Sequence, residues 1–221
     1  MGSDSPTTGI VVLIAVAKML ANVDQKIPFK SGISNIMFAF LNGESFDYIG
    51  SSNMVYNMMN STFPPLIDTK TTDINDDESS NTTNENNDKL TWPKIKLQSL
   101  KFVLELDQLH AKNSLLHTHV DKEFNRNDLL NNFINVARNH EVSIKNATDK
   151  ERGLPPASLQ SILKERRDVP GILLSNFDQN YSNKYYHGPY DNFTLLDIYD
   201  WNKGVEQDIV KTLSKGNYMF S

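Results

Sequence analysis

The sequence predicts an α/β fold, in which a mostly parallel sheet lies between two layers of helices as a three-layer sandwich. Two nearly continuous apolar runs, 35–41 (NIMFAFL) and 171–175 (GILLS), are typical of parallel strands that are buried on both faces. Segments with helical apolar spacing, such as 128–138 (DLLNNFINVAR), separate the strand patterns along the 221 residues. This alternation of strand and helix patterns indicates a parallel sheet whose faces are covered by helices.

The first element is predicted to be a buried amphipathic helix from about Thr8 to Val23, capped by Thr7 or Thr8. Its apolar run, 9–20, contains Lys18 and is shorter than the ~20 apolar residues that a membrane-spanning helix needs. No Lys or Arg precedes the run, which argues against a signal peptide. We therefore expect this helix to pack on the sheet.

The next predicted helix is followed by a segment of unusual composition. Ser51 is predicted to cap a helix that runs to about Asn60. Residues 68–89 (DTKTTDINDDESSNTTNENNDK) contain almost no aliphatic side chains and are rich in Asn, Asp, Ser and Thr. Such a segment cannot bury enough apolar surface to fold alone. We expect 68–89 to be a flexible insertion in a domain to which all of residues 1–221 belong.

The second half of the chain continues the alternation of strands and helices. A strand pattern lies within 95–109, where Phe102, Leu104 and Leu106 alternate with other residues. The remaining predicted elements are helices at 128–138, from Pro155 or Pro156 to about Arg167, and at 205–213, with the strand 171–175 between the last two.

Charge and cysteine content exclude two kinds of site. The chain carries 22 basic and 27 acidic residues, a formal net charge of −5, whereas nonspecific nucleic-acid binding needs a basic face. No nucleic-acid partner is therefore expected. The chain has no cysteine, so neither disulfides nor thiolate metal sites can form.

Glu44 is the residue that the predicted topology singles out. It follows the predicted strand 35–41 and precedes the helix expected to begin at Ser51. In open α/β sheets, ligands bind at the carboxyl ends of the strands, which favours a functional role for this carboxylate. The alternatives are that Glu44 caps the following helix or pairs with a neighbouring Arg or Lys.

Four sequence motifs resemble those of the nicastrin family, the large glycoprotein subunits of γ-secretase. They are DYIGS at 47–51, NMVY at 53–56, LPPxSLQ at 154–160, and NKYY at 183–186 followed by Tyr190 and Asp191. The resemblance implies an aminopeptidase-like fold, because nicastrin is similar to the zinc aminopeptidase and transferrin-receptor superfamily. A domain of that type normally begins with strands, so we expect a chain that opens on a helix to be truncated at its N-terminal side.

The same resemblance implies that the chain is a pseudo-peptidase and not an enzyme. Ser5 and Ser45 stand where the peptidases have a zinc-bridging and a terminal carboxylate ligand. Two dications about 3.5–4 Å apart need several carboxylates to offset their repulsion, and a serine hydroxyl carries no charge. His187 keeps one superfamily ligand position and Glu105 is compared with another, but zinc needs at least three protein groups. No metal or other cofactor is therefore expected.

The implied role is that of a non-catalytic, glycosylated ectodomain on the lumenal or extracellular side of the endomembrane system and plasma membrane, anchored by a transmembrane helix outside this chain. The implied partners are presenilin and the two small membrane subunits of γ-secretase, and the implied substrates are type I membrane-protein stubs with short ectodomains. The expected substrate-binding residues are Glu44, Asp47, Tyr48, Ile49, Gly50 and Ser51. Two other functions stay open: an active zinc aminopeptidase that uses Asp4, Glu44 and His187, and a soluble receptor-like binding module.

Histidines and sequons complete the candidate residues. His117 and His119, with His110 nearby, would share a face only in a strand, and without a third ligand we interpret them as structural. Five sites have the form N-x-[ST] of a glycosylation acceptor: Asn60, Asn81, Asn146, Asn180 and Asn192. The family resemblance implies that some of them carry sugar.

Overall fold

The computed structural model describes residues 6–24, 35–65, 93–109, 115–148 and 153–181, together with 183, 185, 186, 188, 190 and 191. The helices are α1 (Thr7–Asp24), α2 (Ile49–Met59), α3 (Asn127–Asn139) and α4 (Leu159–Glu165), and a 3-10 turn covers Leu97–Ser99. The strands are β1 (Val103–Leu106), β2 (Leu115–His119), β3 (Ser143–Asn146) and β4 (Gly171–Ser175). The predicted insertion 68–89 and the predicted helix 205–213 lie outside the described residues.

The four strands form one sheet in the order β1-β4-β2-β3. The pairs β1–β4 and β2–β3 are parallel, and β2–β4 is antiparallel. All five residues of β4 are buried, because β4 is an inner strand with helices over both of its faces. This explains its continuous apolar sequence. The prediction of a mostly parallel sheet flanked by helices is confirmed.

Two hydrophobic cores lie on opposite faces of the sheet. The first joins α1 and α3 to the strands through buried residues that include Val12, Phe133 and Ile172. The second joins α2, α4 and the 3-10 turn, with Met58 at its centre, and Val103 of β1 packs against it. Because successive strand residues point to opposite faces, Leu104 belongs to the first core and Val103 to the second. The result is a layer of helices on each side of the sheet.

Two predicted helices and one predicted strand agree closely with the structure. The helix predicted for 8–23 is α1, the helix predicted for 128–138 is α3, and the strand 171–175 is β4. Helix α1 packs closely on the end of β1, where a Cβ atom on Gly9 would lie 2.8 Å from the carbonyl oxygen of Leu106. The absence of a side chain at Gly9 thus lets the helix approach the strand.

The prediction of a buried strand at 35–41 is wrong. These residues form neither helix nor strand, and Ile36 and Phe40 are 55% and 54% exposed. A strand needs a neighbour that satisfies its backbone groups, and none of the four described strands pairs with this segment. The segment has the apolar pattern of a strand, but no described strand lies beside it to pair with its backbone. Glu44 therefore does not lie at the carboxyl end of a strand.

Three predicted boundaries are also corrected. Helix α2 begins at Ile49 with Tyr48 at the N-cap position, so Ser51 lies inside the helix and does not cap it. The strand pattern within 95–109 yields only the four residues of β1, preceded by the 3-10 turn. Helix α4 begins at Leu159 and not at Pro155 or Pro156. This late start reflects a contact between Glu105 and the backbone at the beginning of the helix.

Candidate functional site

Glu44 lies in a turn before α2 and touches two helices. Its Oε1 accepts a hydrogen bond of 2.7 Å from the backbone N–H of Ser51, in the first turn of α2. Its Oε2 accepts a hydrogen bond from the Oγ–H of Ser158, which precedes α4. None of the ion pairs among the described residues involves Glu44. Of the two structural alternatives, the structure thus supports helix capping and not pairing with a cation.

Gly50 is required by the close approach of this carboxylate. A Cβ atom on Gly50 would lie 2.6 Å from Oε1 of Glu44 and 2.3 Å from the carbonyl oxygen of Asn42. Both distances are too short for carbon and oxygen atoms that are not bonded. Glycine at the fourth position of the DYIGS motif therefore allows the turn that carries Glu44 to fold back over the start of α2.

Ser51 links the DYIGS motif to the LPPxSLQ motif. It is fully buried, and its Oγ lies 2.9 Å from the Oγ of Ser161 in α4. The same Oγ is 3.3 Å from the carbonyl oxygen of Tyr48. Two motifs that are far apart in the sequence are thus held together at the N-terminal ends of α2 and α4.

Glu105 is the second carboxylate of this site. It lies on β1, and its two oxygens accept hydrogen bonds of 2.9 Å and 2.6 Å from the backbone N–H groups of Ser158 and Leu159. These bonds satisfy the first free N–H groups of α4, which explains why the helix begins after the two prolines. The pKa of Glu105 is raised to about 7, mainly by burial and to a smaller extent by the charges of Asp107 and Glu44, while the two backbone hydrogen bonds oppose the increase.

Tyr48 occupies a strained position next to these carboxylates. Asp47 and Tyr48 have φ angles of 56° and 57°, in the left-handed region that residues other than glycine seldom adopt. Burial is the largest cause that raises the pKa of the Tyr48 phenol to about 12, followed by the charges of Tyr181, Glu105, Asp107 and Glu44. The phenol is therefore protonated at neutral pH and faces an acidic group of side chains.

Of the other predicted site residues, some are exposed on the surface and some lie outside the described residues. Asp47 and Ile49 are exposed, and so is Ser45, the residue compared with a metal ligand of the peptidases. Asp4, Ser5 and His187 lie outside the described residues, so the comparison of Ser5 and His187 with peptidase ligands stays a prediction. Among the described residues, no three His, Asp or Glu side chains are grouped closely enough to hold a metal ion.

Sequence reasoning missed the role of Ser158 and understood Glu105 only as a possible metal-ligand position. Both carried a signal. Ser158 follows the two prolines at a position where serine often caps a helix, although in the structure its hydroxyl donates to Glu44 and makes no capping bond to α4. Glu105 lies near the carboxyl end of a strand, the location predicted for Glu44.

The histidine pair lies away from Glu44, on β2. His119 is buried, and its Nε2 is 2.9 Å from Oγ of Ser175 and 3.0 Å from the carbonyl oxygen of Phe177. Burial lowers the pKa of His119 and of His117, which favours the neutral form of both rings. These contacts agree with the structural interpretation of His119, whereas His110 lies outside the described residues.

Three of the five sequons fall in the described part of the chain. Asn60, at the end of α2, and Asn180 are exposed. Asn146, at the end of β3, is half-buried, and its Oδ1 accepts a hydrogen bond of 2.9 Å from Thr118. Asn81 and Asn192 lie outside the described residues. Glycosylation of any of the five stays a prediction.

No helix in the described part of the chain is both long and apolar enough to cross a bilayer. This includes α1, the element whose apolar run most resembles a membrane segment.

Comparisons with known proteins agree on one family. Residues 1–215 match the family model described as the nicastrin large lobe. Nicastrin of Mus musculus is 28% identical over 208 residues, which cover 89% of this chain and 24% of that protein. Nicastrin of Homo sapiens is 29% identical over 207 residues, with coverages of 89% and 24%. Nicastrin of Caenorhabditis elegans is 26% identical over 222 residues, with coverages of 96% and 27%.

The fold comparison gives the same result. The chain superimposes on a crystal structure of the gamma-secretase component nicastrin with a TM-score of 0.68 and 22% identity, over 100% of this chain and 37% of that chain. At this identity, the match establishes the fold. The chain spans about a quarter of the length of the curated relatives that it matches.

Proposed function

The chain belongs to the nicastrin family, and from this membership we propose that it is a non-catalytic part of the ectodomain of a γ-secretase subunit. In this role it stabilises the membrane protease complex with presenilin and the two small membrane subunits. It also receives or gates type I membrane-protein stubs whose ectodomains are short. The domain lies on the lumenal or extracellular side of the membrane, held there by a transmembrane helix outside this chain.

The observation that carries the proposal is the use of Glu44 as a helix-capping group. The resemblance to the zinc aminopeptidases also implies that Glu44 occupies the position of their general base, a group that must reach a water molecule activated by metal. In this chain both oxygens of Glu44 accept hydrogen bonds from protein groups, the N–H of Ser51 and the Oγ–H of Ser158. Ser45, compared with a metal ligand, supplies no charge. These features favour a binding or structural role over hydrolysis.

Recognition of a peptide end is the mechanism that we propose for substrate contact. A carboxylate has about four lone-pair sites, and the hydrogen bonds described for Glu44 occupy two of them. The half-buried Glu44 can thus still accept a hydrogen bond from the ammonium of a free N-terminus, a charge-assisted bond that is stronger than a neutral one. Asp47 is exposed beside it and adds negative charge. Tyr48, Ile49, Gly50 and Ser51 form the rest of the proposed contact segment.

The rival within the same family is steric. In that model the domain blocks bulky ectodomains, and the DYIGS motif only packs α2 against α4. Photocrosslinking of a stub substrate to assembled complexes that contain either wild-type protein or Glu44→Gln separates the two models. We expect crosslinking to fall several-fold in Glu44→Gln while assembly is retained. Equal crosslinking with normal assembly would remove the recognition mechanism and leave the steric one.

The second candidate function is an active zinc aminopeptidase that recruits metal through Asp4, Glu44 and His187, as the superfamily resemblance allows. It predicts stoichiometric zinc in the intact protein and release of N-terminal residues from peptides. Elemental analysis of the purified full-length protein, together with a peptide-cleavage assay, tests it directly. Bound zinc with cleavage would overturn the non-catalytic proposal.

A further inference from the structure

Ser158 stands between two carboxylates that approach it from different elements. Its backbone N–H is held by Glu105 of β1, at 2.9 Å, and its side-chain hydroxyl donates to Glu44. We propose that Ser158 is a positioning residue that fixes the carboxylate of Glu44 for contact with substrate, and that Glu105 holds Ser158 in place. We name Glu44, Ser158 and Glu105 the carboxylate clamp. The inference rests on the proposed peptide-binding role of Glu44 and adds the groups that control it.

The clamp is held firmly at the end that lies on the sheet. Glu105 accepts two backbone hydrogen bonds, from Ser158 and from Leu159, and Leu159 is only 1% exposed. Leu159 also packs directly on Gly171 of β4, where a Cβ atom would lie 2.7 Å from both methyl carbons of Leu159. The position of Ser158 is therefore set by the sheet and not by the turn that carries Glu44.

The clamp acts on Glu44 separately from the general packing of α2 on α4. That packing has its own polar contact, between the hydroxyl groups of Ser51 and Ser161 at 2.9 Å, and its own apolar core around Met58. Loss of the Ser158 hydroxyl leaves both intact. What it removes is the hydrogen bond to Oε2 of Glu44, so that the carboxylate keeps only its bond to the N–H of Ser51.

Ionisation of Glu105 makes the clamp sensitive to pH. In the part of the chain that the structure describes, the ionisable groups that act on Glu105 are Asp107, which directly follows β1, Glu44 in the turn before α2, and the phenol of Tyr48. The pKa of about 7 lies close to physiological pH. Protonation converts one carboxylate oxygen to a hydroxyl. This hydroxyl is a weaker acceptor for the hydrogen bond from the N–H of Ser158 or Leu159. Acidification below pH 7 should therefore loosen Ser158 and with it Glu44.

Three variants of the full-length natural protein, purified in its assembly, test the clamp. Ser158→Ala removes the hydroxyl, and Ser158→Thr retains a hydroxyl. Ser143→Ala is the control, because Ser143 is exposed on β3, at the edge of the sheet opposite to β1. The first measurement is hydrogen exchange of the Ser51 amide, corrected for its intrinsic rate at each pH. The second is binding of a short fluorescent peptide with a free α-amino group, compared with its N-acetylated form, at pH 8 and pH 6.

We expect faster exchange of the Ser51 amide in Ser158→Ala. Binding of the free-amine peptide at pH 8 should be about five- to tenfold weaker, a change of the size that loss of one hydrogen bond of ordinary strength gives. The α-amino group of the peptide titrates at about pH 7.7–8.0, so affinities are compared for the protonated peptide only. On that basis, binding by wild type and Ser158→Thr should weaken between pH 8 and pH 6, whereas Ser158→Ala should have lost this pH dependence. If Ser158→Ala showed the same Ser51 exchange rate and the same peptide affinity as wild type, the proposed role of Ser158 would be wrong. If wild type binds both peptides equally, peptide-end recognition fails, and the Ser51 exchange alone then decides whether the clamp exists.

Discussion

Gly50 shows how a single residue sets the geometry of the candidate site. The turn that carries Glu44 crosses the start of α2 so closely that the carbonyl oxygen of Asn42 and Oε1 of Glu44 occupy the space of a side chain at this position. Gly50 itself has an ordinary helical backbone, so its role is to leave space and not to adopt an unusual φ angle. The strain of the motif lies instead at Asp47 and Tyr48, which have positive φ angles.

Replacement of Gly50 by alanine should therefore destabilise the protein although alanine favours helices. The added methyl group must displace backbone at Asn42, and overpacking of this kind costs about 1–3 kcal/mol. Urea denaturation measures the change in the free energy of unfolding. Tyr56→Phe, at an exposed position in the same helix, serves as the control and should change stability by less than about 0.5 kcal/mol. A Gly50→Ala protein as stable as wild type would contradict the close approach of Glu44.

Among the secondary-structure elements, the pair α2 and α4 behaves as a unit with its own core. Met54, Val55 and Met58 of α2 pack with Ile162 of α4 and with Leu97 of the 3-10 turn. Arg166, just after α4, donates a hydrogen bond of 2.8 Å to the carbonyl oxygen of Leu97 and joins the same unit. The clamp lies at one end of this unit, so its geometry depends on how the two helices pack.

Adjacent methionines in α2 provide a matched test of this packing. Met58 is fully buried, whereas Met59 is 50% exposed. Met58→Ala leaves a cavity in the second core and should lower the free energy of unfolding by about 2–5 kcal/mol. Met59→Ala removes the same atoms from the surface and should cost far less. The free energy of unfolding is measured by denaturant titration. If both variants lost similar amounts, the helix face of α2 that carries Met58 would not be the face that packs in the second core.

Across the fold as a whole, Glu105 connects the sheet to the α2–α4 unit. It lies on β1, whose neighbouring residues Leu104 and Val103 belong to the first and the second core respectively. Its carboxylate satisfies the first N–H groups of α4. A buried acidic group in such a place makes the stability of the whole fold depend on pH.

The direction of this dependence follows from the pKa of Glu105, which is raised from 4.5 to about 7 on folding. Between these values the folded protein binds the proton that the unfolded chain releases, so this group lowers stability as the pH rises from about 4.5 to 7. The full shift is equivalent to roughly 3 kcal/mol. In Glu105→Gln this contribution is absent, so stability should fall less between pH 5 and pH 8 than in wild type.

Thermal unfolding of both proteins across that pH range measures the difference. Glu165→Gln, which removes an exposed carboxylate at the end of α4, controls for the change in net charge. Parallel pH profiles for wild type and Glu105→Gln would show that Glu105 is not protonated on folding.

Local sequence is sufficient to predict the elements whose apolar spacing is long or continuous. Helix α3 has apolar residues at helical spacing with four of them buried, and all five residues of β4 are buried as its apolar run indicates. The DYIGS and LPPxSLQ motifs likewise indicate the family from the order of the residues alone. Such patterns are local, so they can be read without knowing which elements are neighbours.

The contacts of Glu44, by contrast, depend on how the chain folds over long distances. The segment 35–41 has a strand pattern but pairs with none of the described strands, so the topological argument for Glu44 fails although the residue caps α2 and contacts Ser158. Glu44 and Ser158 are 114 positions apart, and Glu105 and Ser158 are 53 apart. A hydrogen bond between such residues leaves no periodic trace in the sequence, because the fold and not the local chain brings the two groups together.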